Sequence, residues 1–194
     1  MIVGGARRSL NGDQECGDAY AWWRTQAQWT ICLVDGLGHG PKAAQAAQAA
    51  LVLAEAQRAE PPEAMIGAID RGIRWTRGAA IAVAQVDPAS RTLRYCGVGN
   101  VRAALFGDPA IRFEGTPGIV GAGVRPLTTD IESWRDGDLL VLWTDGFSAR
   151  LDLDDGCLRL RGDPEALATR LIDHFSTRRD DAGVVCCLLE GDAR

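Results

Sequence analysis

Three times in this sequence an apolar run meets aspartate at its end. Val34 is followed by Asp35-Gly36, the run Leu140-Val141-Leu142-Trp143-Thr144 by Asp145-Gly146, and Asp180-Asp181 lead directly into Ala182 to Leu189. A fourth carboxylate, Asp18, follows Cys16-Gly17 and opens another apolar stretch. Carboxylates at strand ends are costly to bury without a counter-charge. Basic residues near these positions are few, so a divalent cation is a natural candidate for that charge. Oxygen-only donors suit Mg²⁺ or Mn²⁺, whereas a zinc site would call for His or Cys at short spacing. The only histidines, His39 and His174, lie far apart in sequence. Two hard cations about 3.5–4 Å apart could bind a phosphoryl oxygen and activate water for in-line attack.

The segment Asp35-Gly36-Leu37-Gly38-His39-Gly40 concentrates this chemistry. Trp29 to Val34 reads as an apolar strand, and Pro41 fits the first turn of an Ala-rich helix running to Arg58. Glycines between strand and helix allow close backbone approach or φ > 0, which suits a hard cation or a phosphate at a sheet edge. An Asp-Gly pair after a strand is equally the mark of a plain turn, and linear spacing does not bring the aspartates together. His39 is either a general acid for a leaving oxygen or a structural residue at the helix start. His174 falls on an amphipathic helix and reads as structural. Trp22, Trp23, Trp29 and Trp143 sit in strands and read as core. Arg178 and Arg179, beside Asp180, read as a solvated charge cluster, with pairing to carboxylates or contact with a phosphoprotein as the alternatives.

The elements that must position these residues follow from periodicity. Ala19 to Trp23 and Trp29 to Val34 form a hairpin. Two helices follow, the first from Pro41 to Arg58 and the second from about Pro62, with Met65, Ile66, Ile69 and Ile73 at helical spacing. Ala79 to Val86, Thr92 to Cys96, Val101 to Phe106 and Ile111 to Phe113 then read as an antiparallel meander. A glycine-rich loop, Gly115 to Gly123, leads to strands at Leu127 to Trp134 and Leu139 to Trp143. Asp163 caps a third helix with Pro164 at its first position, and Ala182 to Leu189 closes the chain as a buried strand. Strands, two helices, many strands, one helix and one strand specify a layered α+β domain rather than an alternating βαβ fold.

A chain of 194 residues with 46% hydrophobic and 24% charged residues has the makings of one globular domain with one sizeable core. The net charge of −5 argues against nucleic acid as a partner, since that would call for a basic patch. The six cysteines contain no CxxC pair and read as reduced core thiols. The first residues lack a signal peptide's apolar stretch and no run approaches a membrane span, so no membrane association is expected and the expected location is the cytoplasm.

Order and spacing of these residues resemble the metal-dependent PPM (protein phosphatase 2C-like) superfamily, in its bacterial SpoIIE-type branch, and within it the stressosome phosphatases. The resemblance runs from Cys16-Gly17-Asp18 to Leu189. It is carried by Asp35-Gly36-Leu37-Gly38-His39-Gly40, Arg77-Gly78-Ala79, Tyr95-Cys96-Gly97-Val98-Gly99-Asn100-Val101-Arg102, Thr144-Asp145-Gly146 and Thr177-Arg178-Arg179-Asp180-Asp181. It implies a single phosphatase domain over residues 1–194, a four-layer α-β-β-α sandwich of two antiparallel sheets flanked by helices. It also implies a centre of two Mn²⁺ or Mg²⁺ ions at one end. Asp35 would bridge both ions, the Gly36 carbonyl would reach one, Asp145 and Asp180 would complete the first ion's shell, Asp18 would lie on the second ion's side and Asp181 would assist.

The implied activity is a serine/threonine protein phosphatase acting on phosphorylated STAS-domain regulators (RsbS- or RsbR-like) of a stressosome-like module, without a phosphoenzyme. With no recognisable sensor segment, a stand-alone catalytic unit controlled by partners or expression is expected. Two other readings stand beside it: a phosphatase-like module that binds phosphoproteins with little turnover, and a two-metal hydrolase of small phosphate esters. Two positions depart from the family pattern, Gly183 and Ala80, each where relatives commonly carry threonine.

Overall fold

The computed structural model describes residues 1–12 and 15–191. Five strands, β1 (Ile2–Arg8), β6 (Arg102–Phe106), β7 (Ile111–Phe113), β9 (Leu139–Trp143) and β10 (Ala182–Leu188), form one antiparallel sheet in the order β1-β10-β9-β6-β7. Five more, β2 (Asp18–Arg24), β3 (Trp29–Gly36), β4 (Ala79–Asp87), β5 (Thr92–Val98) and β8 (Asp130–Ser133), form a second in the order β2-β3-β4-β5-β8. Helices α1 (Pro41–Ala56) and α2 (Pro62–Gly72) cover the outer face of the second sheet. Helices α3 (Asp155–Arg159) and α4 (Pro164–Phe175) cover the outer face of the first. The result is the expected α-β-β-α sandwich.

Side chains alternate across each strand, so each sheet feeds two cores. On β3, Ile31 and Leu33 enter the core between the sheets, while Cys32 and Val34 pack under α1 and α2. On β9, Leu140 and Leu142 point inward, while Leu139, Val141 and Trp143 pack under α4. Both faces of each sheet are covered, which is why these strands read as unbroken apolar runs rather than alternating ones. Each fully buried Leu, Ile or Val contributes roughly 1.5–3 kcal/mol relative to exposure.

The helices start where the sequence signals. Asp163 Oδ1 accepts the Ala166 N–H at 3.1 Å and Pro164 begins α4. Gly40, at φ 72, precedes Pro41 at the start of α1, whose buried face is almost all alanine: Ala43, Ala46, Ala47, Ala50 and Ala54. Small side chains let that helix lie close on β2 and β3. This closeness has a direct effect on the site, described below.

Four details differ from the sequence reading. The strands from Ala79 to Phe113 are not one meander: the chain leaves the second sheet after β5 and enters the first at β6, which pairs with β9 and β7. The strand placed at Leu127 to Trp134 is confined to Asp130–Ser133. The strand β1 was not anticipated, because Gly4 and Gly5 depress strand propensity. Both glycines are packing requirements: a Cβ at Gly4 would collide with the backbone of Pro164 and Glu165, and one at Gly5 would fall 2.6 Å from the Tyr20 ring. The helix α3 is too short for periodicity to reveal; its one signal is Asp154, which accepts the Cys157 N–H at 2.7 Å.

Candidate metal centre

Antiparallel pairing places Asp18, the first residue of β2, directly opposite Asp35 near the end of β3. In the other sheet β9 ends and β10 begins at one edge, so Asp145 and the pair Asp180-Asp181 emerge together. The two edges meet: Thr144, fully buried at the end of β9, donates its hydroxyl hydrogen bond to Asp18 Oδ2 at 2.6 Å. The Gly183 N–H donates to the same Thr144 oxygen at 2.9 Å, and the Thr144 N–H donates to the Gly183 carbonyl at 3.0 Å. Asp181 is tied down by backbone. Its Oδ1 accepts the Leu10 N–H and its Oδ2 the Gly17 N–H, both at 2.7 Å.

Asp35, Asp145 and Asp180 line one cleft of about 430 Å³, with Asn100, Gly99 and Ala80 on one side and Leu37 and Ile119 at its walls. Asp145 accepts a hydrogen bond from Asn100 Nδ2 at 2.7 Å. Among the described residues no donor reaches the Asp35 carboxylate. Asp18 is buried behind it.

The electrostatics record how closely these groups are gathered. Burial pushes the Asp35 carboxyl up to about 9, and the charges of Asp18, Asp145, Asp180 and Asp181 add to the effect. Burial likewise raises Asp18 to about 7; the Thr144 hydroxyl opposes the rise and Asp181, Asp145 and Asp180 reinforce it. Asp145 is also raised, by burial and then by Asp180, against the opposing pull of Asn100 and Arg102. Apart from Arg102 near Asp145, no cation acts on these carboxylates among the described residues, and all the donors are oxygen. That donor set fits a hard divalent ion. Among the described residues no group of three His, Cys, Asp or Glu side chains is placed so as to hold a metal ion.

Asp35-Gly36 is not a turn but the end of β3, whereas Asp145-Gly146 lies in a turn closed by the Phe147 N–H on the Thr144 carbonyl at 3.3 Å. Neither Gly36 nor Gly146 has positive φ, unlike Gly137 in Asp136-Gly137-Asp138, at φ 88. A Cβ at Gly36 would collide with the Ala43 carbonyl of α1, and one at Gly146 with the Asp181 carbonyl. These glycines let the helix and the β10 edge close against the strand ends that carry Asp35 and Asp145.

Of the residues singled out from sequence, Asp18, Asp35, Gly36, Asp145, Asp180 and Asp181 come to one end of the sandwich. His39 is exposed on the loop before α1 and is not part of the cleft lining, although Leu37 and Gly38 are. His174 is exposed near the end of α4. Ala80 pairs directly with Asp35 across β3 and β4, and Gly183 lies against Asp18, where a Cβ would fall 3.2 Å from Oδ2. Both departures from the family pattern therefore adjoin carboxylates. Sequence reasoning gave no role to Thr144 or Asn100. The available signal for Thr144 was a polar residue closing an apolar strand; for Asn100 it was its place after Gly97-Val98-Gly99.

Comparison with known proteins agrees with this fold. The family model for stage II sporulation protein E (SpoIIE) matches residues 25–189. No curated protein matches the chain. A chain solved in a study of the bacterial stressosome, a modular system adapted to control secondary messenger signalling, is 29% identical. The match covers 95% of this chain and 97% of that one, with a TM-score of 0.87. RsbX, solved in complex with magnesium, is 23% identical over 94% of this chain and 92% of its own, with a TM-score of 0.76. The catalytic domain of the serine/threonine protein phosphatase PstP, solved with two manganese ions, is 17% identical over 95% of this chain and 96% of its own, with a TM-score of 0.70. The family match spans most of the chain and the fold agrees throughout: this protein belongs to the SpoIIE family, PPM-type serine/threonine phosphatases that are metal-dependent hydrolases.

Proposed function

We propose that the chain is a single-domain phosphatase that removes phosphate from phosphoserine or phosphothreonine on STAS-domain regulators of a stressosome-like module. The observation that carries this reading is the convergence of Asp35, Asp145 and Asp180 at one cleft with Asp18 buried behind it, Asp35 being free of hydrogen-bond donors among the described residues. The site would take Mg²⁺ or Mn²⁺, two ions in our reading. Asp35, Asp145, Asp180 and the Gly36 carbonyl would hold the ions, with Asp18 alongside. Asp181, whose two oxygens each accept a backbone N–H, fixes the Leu10 and Gly17 backbone around the site. When bound, the ions supply Lewis acidity toward the phosphoryl oxygens and lower the pKa of the attacking water.

The protein's own part is positional. Thr144 orients Asp18, Asn100 orients Asp145, and the Leu37 and Ile119 walls narrow access to the carboxylates. His39, on the adjoining loop, is placed to protonate a leaving oxygen only if that loop moves inward when the phosphoprotein binds. The stressosome origin of one structural neighbour and the RsbX identity of another support the substrate class. Six free cysteines accord with action in the reducing cytoplasm, and among the described residues no helix is long and apolar enough to cross a membrane.

Phosphate release from a phosphorylated STAS-domain protein, with Mn²⁺ and with chelator, tests this. Metal-dependent release that exceeds turnover of free phosphoserine is the expected result. Binding without release would make the chain a phosphoprotein-binding module, and equal turnover of free phosphoserine would make it a hydrolase of small esters.

A further inference from the structure

At the end of β1 the chain passes from Arg8 through Ser9 into the turn at Leu10–Gly12. Arg8, Ser9, Leu10, Gly12 and Arg178 line a depression of about 280 Å³. Its charged lining is of opposite sign to that of the metal cleft. Arg8 Nη1 donates to Ser176 Oγ at 2.5 Å, and the Ser176 hydroxyl donates onward to the Ile172 carbonyl at 2.5 Å, so this guanidinium is fixed against the end of α4. Its Nη2 is buried and meets no hydrogen-bond partner. A buried donor without a partner is unfavourable by about 1–3 kcal/mol, more when charged.

Arg178 is exposed and holds a left-handed backbone at φ 59, uncommon for a residue with a side chain. Among the described residues, ion pairs engage Arg74, Arg91, Arg112, Arg150 and Arg170, but neither Arg8 nor Arg178. The arginine that acts on the Asp145 carboxyl is Arg102. Among the described residues, these two guanidinium groups at one depression pair with no carboxylate.

The depression and the cleft are joined through the segment 178–181, Arg178 lining the first and Asp180 the second. The Leu10 N–H holds Asp181 Oδ1, and Arg178 stands two residues before Asp180, within about 8 Å along the backbone. The remainder of the cleft is acidic, in a chain of net charge −5, and repels an anionic partner. Planar guanidinium forks match carboxylate and phosphate oxygens and recognise them with charge-assisted bonds.

We propose that this depression binds an anionic side chain of the protein substrate, a carboxylate or a second phosphoryl group, positioned beside the phosphoserine that enters the metal cleft. The proposal rests on the phosphatase reading for its substrate, but its ligand chemistry is separate from that of the carboxylates. It makes Arg8 and Arg178 specificity-determining residues, acting on substrate affinity rather than on the reacting phosphate.

The test uses the full chain with Mn²⁺ and three short phosphoserine peptides that differ only beside the phosphoserine: glutamates, glutamines, or a second phosphoserine. The wild type is expected to show about tenfold lower KM for the glutamate and doubly phosphorylated peptides than for the glutamine peptide, a difference of about 1.4 kcal/mol. Arg178→Ala and Arg8→Gln each bring that KM ratio toward one. A wild-type ratio of one, or a ratio that survives both substitutions, overturns the proposal. A fall in kcat on all three peptides with the ratio intact also overturns it, because the arginines then act on the reacting centre. Calorimetric binding of the same peptides to the Asp35→Asn chain reads the subsite without turnover. An acidic preference that persists there, in a protein whose wild type hydrolyses nothing, sinks the phosphatase reading and leaves the subsite standing.

Discussion

The Thr144 hydroxyl donates to Asp18 Oδ2 at 2.6 Å and joins the two sheets at the edge where the carboxylates gather. Because the Gly183 N–H already donates to the same oxygen, the hydroxyl proton is directed at Asp18. Thr144→Val removes that donor and leaves Asp18 and the Gly183 N–H buried without it. Loss of a hydrogen bond to a metal-binding carboxylate lowers metal affinity or activity roughly 10–100-fold. Thr144→Ser restores most of it. Mn²⁺ titration of phosphate release by the two variants checks the pair; equal activity in both removes Thr144 from the account.

The raised carboxyls fix the pH dependence of the metal-free protein. Asp18 and Asp35 titrate at about 7 and about 9 in the fold, against about 3.9 in an unfolded chain. Folded values above unfolded ones mean stability fully present below about pH 4 and lost as pH rises through 7 and 9. In chelator, the melting temperature is expected to fall by roughly 5 °C between pH 5 and pH 9. Mn²⁺ or Mg²⁺ reverses the fall, and Asp35→Asn flattens it. A metal-free melting temperature that rises over this range would contradict the gathered-carboxylate picture.

Gly36 and Gly146 are held to glycine by close approach, not by φ. Alanine at either position forces backbone away from backbone and destabilises the fold by about 1–3 kcal/mol or more. Gly162 has open space around its Cβ position and no positive φ. Gly162→Ala therefore stays within about 0.5 kcal/mol of wild type. Denaturant unfolding of the three variants distinguishes packing glycines from ordinary ones.

Asp70 on α2 anchors the loop that carries Gly118 and Ile119 into the cleft wall. Its Oδ1 accepts the Gly121 N–H at 2.8 Å and the Gly123 N–H at 3.0 Å. Burial opposes its ionisation, yet the N–H groups of Gly121, Gly123 and Val124, with Arg74, hold its carboxyl below the usual range. A depressed folded value gives stability that is present above about pH 4 and lost as pH falls through it. Asp70→Ala is expected to cost about 1–3 kcal/mol at pH 7, and the gap to wild type to narrow in acid. Urea unfolding at pH 7 and pH 3 measures both.

Where one signal sufficed, the sequence was legible. The hairpin of β2 and β3, the helices at Pro41, Pro62 and Pro164, and the aspartates at strand ends were all visible, because apolar runs, proline at N1 and polar punctuation act locally. The switch of sheets between β5 and β6 was not, since pairing partners are set by the shared core and not by neighbours in sequence. Gly36 illustrates the limit best. Its residue type admitted either a turn or a close approach, and only the position of the Ala43 carbonyl decides between them. Thr144 was hidden for the same reason: its partner, Asp18, lies in the other sheet.

Asp35 is the centre of the account, because it faces Asp18 across the strand pair, lines the cleft and feels every other carboxylate of the site. The most direct test is Mn²⁺-dependent phosphate release from a phosphoserine protein by the wild type and by Asp35→Asn, with circular dichroism to confirm that both are folded. The account predicts release by the wild type that stops on chelation, and at least about a thousandfold loss in the folded variant, a loss of roughly 4 kcal/mol in transition-state stabilisation. Wild-type rates from Asp35→Asn, or release from the wild type that persists in chelator, would contradict it.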